Sequence, residues 1–276
     1  MLISHKELEK INRVQVDILK EVSSVCEKLN VKFFMVHGSL LGTIRNNSFV
    51  PDDDDIDIAL FREDYEKFCV EAPKLLKEKY FVQTNKTDAK YPMEFAKVRD
   101  CDTTYVIENS RKLPINHGIY IDVFPIDYAF TKKVKLKTLK YKLLNLRISS
   151  ILELGKTSFI RKCACLLAKI IYPSWGKAVE KRNKLLTGEK INDNVMITGG
   201  KLKERSIPYL WFDGAIESVF EGVKVYIPKN YDAYLTQIYG DYKNRTLIEN
   251  KFSDDDNIEI NACYVDVENS FKNCKY

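Results

Sequence analysis

An alternation of carboxylates with branched apolar side chains, in the run PDDDDIDIAL, constrains the fold of this chain more than any other feature. The alternating carboxylates are those of Asp53, Asp55 and Asp57, and Ile56 and Ile58 alternate with them. In an extended chain the three carboxylates project from one face. Like charges at this spacing raise one another's pKa and destabilise the fold unless cations neutralise them. The run therefore predicts a strand with one buried face and a site for Mg²⁺ or Mn²⁺ on the other.

The acidic run has two other interpretations, a solvated loop and an EF-hand calcium loop. A solvated acidic loop is the simpler one, but the flanking isoleucines tie the run to a strand. An EF-hand calcium loop would fit the first three acidic positions. Its sixth position, however, is Ile58 where the turn needs Gly, and its twelfth is Asp64 rather than Glu. A second acidic run, 254–256, lacks both alternation and an apolar strand, and we interpret it as a solvated loop.

Helical and strand-like periodicities alternate along the first 130 residues and predict a mixed α/β core. The predicted helices are 5–29, 40–46 and 62–79. The predicted strands are 31–36, 56–60, 80–84, 93–98, 103–107 and 118–124, the last bounded by Pro114 and Pro125. Farther along, a short strand at 223–227 and a helix at 231–239, closed by Gly240, are predicted.

The positive charge of the chain is concentrated in one segment. The chain carries 44 Lys and Arg against 39 Asp and Glu, but residues 131–187 alone hold 15 basic and two acidic residues, a local charge of +13. Two amphipathic helices with Lys-rich faces are predicted there, with apolar stripes on Leu136, Leu139, Leu143 and Leu146 and on Phe159, Cys163, Leu166 and Ile170. Such asymmetry indicates an anionic partner: a membrane surface, a phosphate-rich substrate or nucleic acid.

Compartment and partners are constrained by what the sequence lacks. No uncharged apolar run approaches the roughly 18 residues that span a bilayer, and the amino end is charged. We therefore expect a cytoplasmic protein, with peripheral contact to the inner face of an anionic membrane through the basic segment. The seven cysteines are scattered without a Cys-x-x-Cys pair, and we expect them to be reduced. Aromatic residues are not interleaved with the basic ones, which argues against a nucleic acid partner.

A glycine turn lies upstream of the acidic run. Gly38 and Ser39 follow the predicted strand 31–36 and precede the predicted helix 40–46. Free N–H groups and the helix dipole make such a position an anion site, and glycine lets a phosphate approach closely.

Four motifs, in this order, resemble the LicD family of phosphocholine transferases. They are HGSLLGTIR at 37–45, PDDDDIDIAL at 51–60, HGIYIDVFPID at 117–127 and FEGVKVYIPKNYDAYLTQIYGDY at 220–242, and they extend over about three quarters of the chain. The resemblance implies an α/β (α+β) fold, with a nucleotidyltransferase-like mixed sheet core flanked by helices and a basic helical insertion. The expected parts are a catalytic core at 1–130, the basic segment at 131–187 and a carboxyl-terminal part at 188–276 that packs on the core.

The same resemblance implies the site residues. Gly38, Ser39, Asp55 and Asp57 match the metal and nucleotide signature, and Asp53 adds a further acid. A neighbouring strand is expected to add Asp122, either as a metal ligand or as the acceptor of a hydroxyl proton; the alternative is that it caps a turn. We expect Asp127 to be a turn residue. Two departures are Asp52, where the family usually has an aromatic residue, and the run 245–251, which lacks a Pro-containing tail.

Basic residues and histidines near these motifs complete the predicted site. Lys97 and Arg99 alternate on a predicted strand and, with Arg45 on the short helix, are expected to bind donor phosphate. For each of them, a solvated surface position is the alternative. His37 and His117 each precede a glycine, and we interpret both as buried, hydrogen-bonded histidines rather than metal ligands.

The function implied by the resemblance is metal-dependent transfer of an alcohol phosphate, phosphocholine first. The expected donor is CDP-activated, and the acceptor is a sugar hydroxyl of a cell-surface glycan, such as lipopolysaccharide or teichoic acid, or of its lipid-linked precursor; CMP leaves. One alternative is a nucleotidyltransferase that releases pyrophosphate. The other is a non-catalytic module that binds a cation and docks to a membrane.

Overall fold

The computed structural model describes residues 1–153, 159–187, 189, 191–200, 206–243 and 257–274. The helices described are α1 (His5–Leu29), α2 (His37–Asn46), α3 (Arg62–Glu71), α4 (Val134–Ser149), α5 (Phe159–Ile171), α6 (Trp175–Leu186) and α7 (Tyr231–Tyr239). The strands are β1 (Leu2–Ser4), β2 (Phe34–Met35), β3 (Asp57–Phe61), β4 (Tyr80–Gln83), β5 (Ala96–Asp100), β6 (Thr104–Val106), β7 (Ile119–Tyr128), β8 (Asn194–Ile197), β9 (Ile207–Pro208), β10 (Ala215–Phe220), β11 (Val223–Pro228), β12 (Asn257–Glu259) and β13 (Tyr264–Asp266).

A mixed sheet forms the centre of the core. Its main path runs β2, β3, β7, β5, β4, and β8 and β9 extend it from the far end of β7. β3 and β7 are parallel, whereas the other pairs of this sheet are antiparallel. The prediction of a mixed sheet flanked by helices is therefore confirmed. Near the chain ends, β12 pairs with β1 and β13 pairs with β6, so residues 257–266 are joined to the rest of the fold by strand pairing.

Helix α1 has the bounds that its periodicity predicts. Ser4 caps its amino end through a reciprocal capping box with Glu7, and Asn30 ends it in the left-handed conformation at φ 51°. Its buried apolar side packs on β7 and β11. Helix α7 likewise runs from 231 to 239 before Gly240, as predicted.

Several predicted bounds are wrong, and the strand predicted at 93–98 runs instead over Ala96–Asp100 as β5. The strand predicted at 31–36 pairs only over Phe34–Met35. The helix predicted at 62–79 ends at Glu71, and Pro73 lies in the short 3₁₀ turn that follows. The predicted strand 118–124 continues through Pro125 as β7. The Pro125 carbonyl accepts from the Thr198 N–H at 3.0 Å, so its ring nitrogen faces the point where β7 changes partner from β5 to β8. The missing N–H is tolerated there.

The basic segment forms three helices instead of the predicted two. The predicted stripe on α4 is wrong, because Leu136 and Leu139 are exposed. The buried side chains of α4 are instead Leu144 and Ile148, and they pack against Ala178 and Val179 of α6 in a small core of their own. The boundaries at 130 and 187 stay predictions.

A buried arginine joins the helical segment to the sheet core. Arg182 on α6 is only 1% exposed and donates to the carbonyls of Pro92 and Met93 at 2.8 and 2.9 Å. It also pairs with the Glu94 carboxylate at 3.0 Å, and Tyr141 of α4 donates its hydroxyl to the same carboxylate. Glu94 therefore neutralises a buried cation.

We expect Glu94→Ala to lower the free energy of unfolding by about 3 kcal/mol, because it leaves the Arg182 charge buried without its carboxylate. Glu94→Gln should cost less, since it keeps an oxygen acceptor. Urea denaturation of both variants measures the effect, with Glu180→Ala, an exposed glutamate of α6, as the matched control. Equal stability of the Glu94→Ala and Glu180→Ala variants would show that the pair does not hold the insertion.

Candidate active site

Four polar side chains form a row across four neighbouring strands. Asp57 of β3 pairs in register with Asp122 of β7, which pairs with Lys97 of β5, which in turn pairs with Gln83 of β4. Directly paired residues share one face of a sheet. All four side chains belong to buried residues. The structure thus brings together Asp57, Asp122 and Lys97, which the sequence placed in one site.

The first turn of α2 holds Asp57 in place. His37 Nδ1 lies 3.0 Å from Asp57 Oδ2, and the Asp57 backbone N–H donates to Ser39 Oγ at 2.8 Å. The helix was predicted to begin at 40, but it begins at His37, so Gly38 and Ser39 lie inside its first turn. Ser39 therefore positions a carboxylate as well as belonging to the expected anion site.

Asp122 and Lys97 form a buried ion pair. Burial raises the pKa of Asp122 and lowers that of Lys97, and in each case the partner's charge opposes the shift. The Lys97 ammonium also lies 3.3 Å from the centroid of the Tyr120 ring, a cation–π contact. Lys97 is therefore a charge held inside the site, and the alternative of a solvated surface lysine is wrong.

Arg99 lies two residues after Lys97 in β5, on the same face of the sheet, and is also buried. Its guanidinium donates to Gln83 Oε1 at 2.6 Å and to the Gly118 carbonyl at 2.5 Å, and stacks 4.8 Å from the Tyr120 ring centroid. These contacts tie β4, β5 and the start of β7 together. The solvated-surface alternative is wrong for Arg99 too, and its expected contact with phosphate stays a prediction.

Carboxylates lie close together in the acidic run just before strand β3. β3 begins only at Asp57, so Asp53 and Asp55 lie in the segment before it, where the sequence predicted continued alternation. The pKa of Asp55 is raised well above its usual range, first by burial and then by the carboxylates of Asp57, Asp53, Asp122 and Asp54. A group with four negative neighbours fits a place that a cation would stabilise.

Long-range contacts fix the path of this acidic segment. Gln15 of α1 donates from Nε2 to the Asp54 carbonyl at 2.7 Å and to the Tyr120 carbonyl at 3.2 Å. The Tyr105 hydroxyl donates to the Asp54 carboxylate. A Cβ on Gly38 would lie 2.5 Å from Asp53 Oδ2, so glycine is needed for Asp53 to approach the first turn of α2.

The donor set fits a divalent cation in its chemistry, with hard carboxylate oxygens on adjacent strands. Among the residues that the structure describes, however, no three Asp, Glu, His or Cys side chains are grouped closely enough to hold one ion as they stand. The assignment of Asp53, Asp55, Asp57 and Asp122 as metal ligands therefore stays a prediction.

Arg45, His117 and Asp127 lie outside the row formed by Asp57, Asp122, Lys97 and Gln83. Arg45 is in the last turn of α2, far from Ser39, and its guanidinium donates to the Tyr242 carbonyl. His117 is buried with Nε2 at 3.1 Å from the Leu113 carbonyl, and burial lowers its pKa. The interpretation of His37 and His117 as buried, hydrogen-bonded histidines is confirmed. Asp127 is not a turn residue: it lies in β7 and pairs with Arg62 at 2.6 Å.

Sequence reasoning missed Gln83, Gln15 and Tyr120 as parts of the site. Tyr120 carried a usable signal, because it stands two positions before Asp122 on a predicted strand and must share its face. The two glutamines carried none, since their roles depend on which strand and helix pack beside them. The acidic run 254–256 and the run 245–251 lie outside the described residues.

Comparisons with known proteins show which family this chain resembles. Residues 30–164 match the model described as "LicD/FKTN/FKRP, nucleotidyltransferase domain". The chain is therefore similar to the LicD family over these 135 residues, just under half of its length. The predicted resemblance is confirmed, and with it the assignment to the transferase enzymes.

Individual relatives extend the match beyond that domain. The "Lipopolysaccharide cholinephosphotransferase LicD" of Haemophilus influenzae is 27% identical over 240 residues, which cover 83% of this chain and 88% of the relative. An uncharacterised protein of Rickettsia typhi is 32% identical over 69 residues, covering 25% of this chain and 22% of the relative.

We expect Asp55→Asn to raise the stability of the protein at neutral pH in buffer without divalent cations. The raised pKa means that ionised Asp55 destabilises the fold, so stability is lost as pH rises from the ordinary Asp value of about 3.9 through the raised folded value. The substitution removes that loss. Below about pH 3.9 the carboxyl is neutral in both states, and this advantage should vanish.

Thermal unfolding across pH in the presence of EDTA measures this difference. Asp102→Asn, an exposed carboxylate outside the site, is the matched control and should change little. A lower stability of Asp55→Asn at neutral pH would contradict the crowding of charges around Asp55.

Proposed function

We propose that this protein transfers an alcohol phosphate, phosphocholine first, from a CDP-activated donor to a sugar hydroxyl of a cell-surface glycan or its lipid-linked precursor, releasing CMP. The observation that carries the proposal is the in-register pair Asp57 and Asp122, with Lys97 beside it and Asp55 crowded by carboxylates. The name of the Haemophilus relative, a lipopolysaccharide cholinephosphotransferase, supports phosphocholine as the group transferred and lipopolysaccharide as the acceptor class.

The chemistry needs positioning and charge neutralisation more than covalent participation by the protein. In phosphoryl transfer the negative charge spreads over the phosphate oxygens while the attacking and leaving oxygens stay in line. Asp53, Asp55, Asp57 and Asp122 would hold Mg²⁺ or Mn²⁺, which when bound neutralises phosphate charge. The first turn of α2, at Gly38 and Ser39, offers backbone N–H groups and the positive end of a helix dipole to the donor.

The proposed reaction balances without a further reactant. The acceptor oxygen bonds to the phosphorus that carries the alcohol, the bond from that phosphorus to the CMP oxygen breaks, and the hydroxyl proton passes to a base. Asp122 is a candidate for that base, because burial raises its pKa and the adjacent Lys97 can compensate its charge. Its other candidate role is that of a metal ligand.

A second candidate function is transfer of the nucleotidyl group with release of pyrophosphate. The matched family description, which names a nucleotidyltransferase domain, favours keeping it. Both reactions use the same carboxylates and differ in which phosphorus is attacked. The non-catalytic alternative is disfavoured, because the relative that matches 83% of this chain is named as a transferase.

A donor scan separates the two reactions. The full chain is incubated with CDP-choline, CDP-ethanolamine, a CDP-linked polyol or CTP, each with a lipopolysaccharide acceptor and Mg²⁺ or Mn²⁺. CMP release with a mass increase on the glycan supports alcohol phosphate transfer, whereas pyrophosphate release from CTP supports the nucleotidyltransferase. EDTA should stop turnover and re-added metal should restore it; activity unaffected by EDTA would refute the metal requirement.

We expect Asp55→Asn and Asp57→Asn each to lower turnover by about a thousandfold or more while the chain stays folded, because each removes a charge that the proposed cation requires. Turnover at saturating Mg²⁺ and circular dichroism test this together. Asp102→Asn should keep full activity. Near-normal turnover of either site variant would remove that residue from the metal site.

Ser39→Ala should be milder, with turnover lowered roughly tenfold, because one hydrogen bond to the Asp57 backbone is lost while the backbone N–H groups of α2 remain. Steady-state kinetics with the donor that the scan identifies measure the change. A loss as complete as that of Asp57→Asn would assign the Ser39 hydroxyl a larger role than positioning.

A further inference from the structure

Helix α5 exposes most of its apolar side chains. Ile160 is 79% exposed, Ile170 is 70% exposed and Leu166 is 61% exposed. The α5 apolar face, as we define it, comprises Ile160, Cys163, Leu166, Leu167, Ile170 and Ile171, all of them exposed. Their helical spacing places them along one broad side of α5. A contiguous exposed apolar surface of this kind marks an interaction site in a folded protein.

The charged side chains of α4 and α5 are all positive. Helices α4 and α5 contain no Asp or Glu. Lys162 and Lys169 are exposed and lie two turns apart, next to Leu166 in helical projection. Arg147 and Arg182, by contrast, are buried in contacts that hold the segment together, and most of the other basic residues of 131–187 remain on the surface. An apolar face on a helix whose charged residues are all cations is complementary to an apolar surface that carries anionic groups.

The length of α5 sets how it could meet a lipid bilayer. Its 13 residues extend about 20 Å, less than the roughly 30 Å of a hydrocarbon core. No helix in the described ranges is both long and apolar enough to cross a membrane. A short helix with an aliphatic face and flanking lysines lies in the plane of the membrane interface instead.

We propose that the α5 apolar face docks in the surface of an anionic lipid bilayer, with the apolar side chains among the upper acyl chains and the neighbouring lysines on the headgroups. Charge complementarity selects this occupant, because the segment carries +13 and α5 itself contains no carboxylate. The face is aliphatic and offers no aromatic platform for stacking bases, which disfavours a nucleic acid. The docking requires no particular donor or acceptor, so it can fail or hold independently of the proposed function.

Co-sedimentation of the full chain with vesicles tests the proposal. One vesicle type contains phosphatidylglycerol with phosphatidylcholine, the other phosphatidylcholine alone, and each is measured at low and high salt. We expect clear binding to the anionic vesicles at low salt, weaker binding at high salt and little binding to the neutral vesicles.

Two double variants identify the surface. Leu166→Ser with Ile170→Ser should weaken binding to anionic vesicles roughly tenfold or more, since both side chains would lose their burial in lipid. Lys162→Glu with Lys169→Glu should weaken binding and reduce its salt dependence. The matched control is Ile191→Ser with Leu210→Ser, which removes two apolar side chains that are at least as exposed, 83% and 70%, from elsewhere in the chain and should leave binding unchanged.

Three outcomes would overturn the proposal: no binding to anionic vesicles, equal binding to both vesicle types, or equal loss in the α5 variant and its control. Circular dichroism of each variant guards against unfolding, although substitution of exposed side chains is expected to be tolerated. Because no donor is present, the result does not depend on catalysis. Turnover on a soluble acceptor should persist in the Leu166→Ser, Ile170→Ser variant, and its loss would point to a structural role for the face.

Discussion

The parallel pairing of β3 with β7 is the interaction on which the site depends. It sets Asp57 directly beside Asp122, and two buried carboxylates are unfavourable unless other groups compensate them. Lys97 on the far side of Asp122 and His37 against Asp57 provide that compensation within the protein. The opposite face of the sheet is apolar, with Ile58, Ile121 and Val123 fully buried. The hydrophobic core therefore holds the strands in a register that electrostatics alone would oppose.

The bounds of the fold were predictable where a local pattern decides them. Helix α1 and helix α7 follow from periodicity and caps that lie within the helices and their ends. The acidic alternation did not show that the strand begins only at Asp57, and the segment before it contacts Gln15 and Tyr105, which are distant in sequence. Pro125 was misleading for a similar reason. A change of strand partner makes its missing N–H harmless, and no local pattern shows where a partner changes.

The chemistry of the site was more predictable than its geometry. Asp57, Asp122, Lys97 and Arg99 were identified from residue type, alternation and family motif, and all lie on one face. Which partner each of them contacts depends on strand register, and strands β3 and β7 are more than fifty residues apart in the chain. Arg45 shows the limit of this reasoning: its place on α2 was predicted, but the helix directs its guanidinium to Tyr242. Contact of the basic segment with a membrane was predicted, but the exposure of the apolar side chains of α5 was not, because an apolar stripe on a helix indicates burial unless its partner is known.

The helical segment and the site are joined by a short chain of contacts. Arg182 binds the backbone at Pro92 and Met93 and the carboxylate of Glu94. The next residue, Phe95, lies 4.4 Å from Phe124 between ring centroids, and Phe124 lies 5.0 Å from His37, the partner of Asp57. Two residues beyond Phe95, β5 presents Lys97 to Asp122.

This path places the buried ion pair of Arg182 beside the strand that carries Lys97. The strand that carries Lys97 begins where the helical segment is anchored, and the aromatic contacts from Phe95 lead to the residue that holds Asp57. Packed side chains transmit displacement because interiors have few voids to absorb it. We therefore expect the packing around Glu94 and Phe95 to influence where β5 lies, and with it the spacing between Lys97 and the carboxylates.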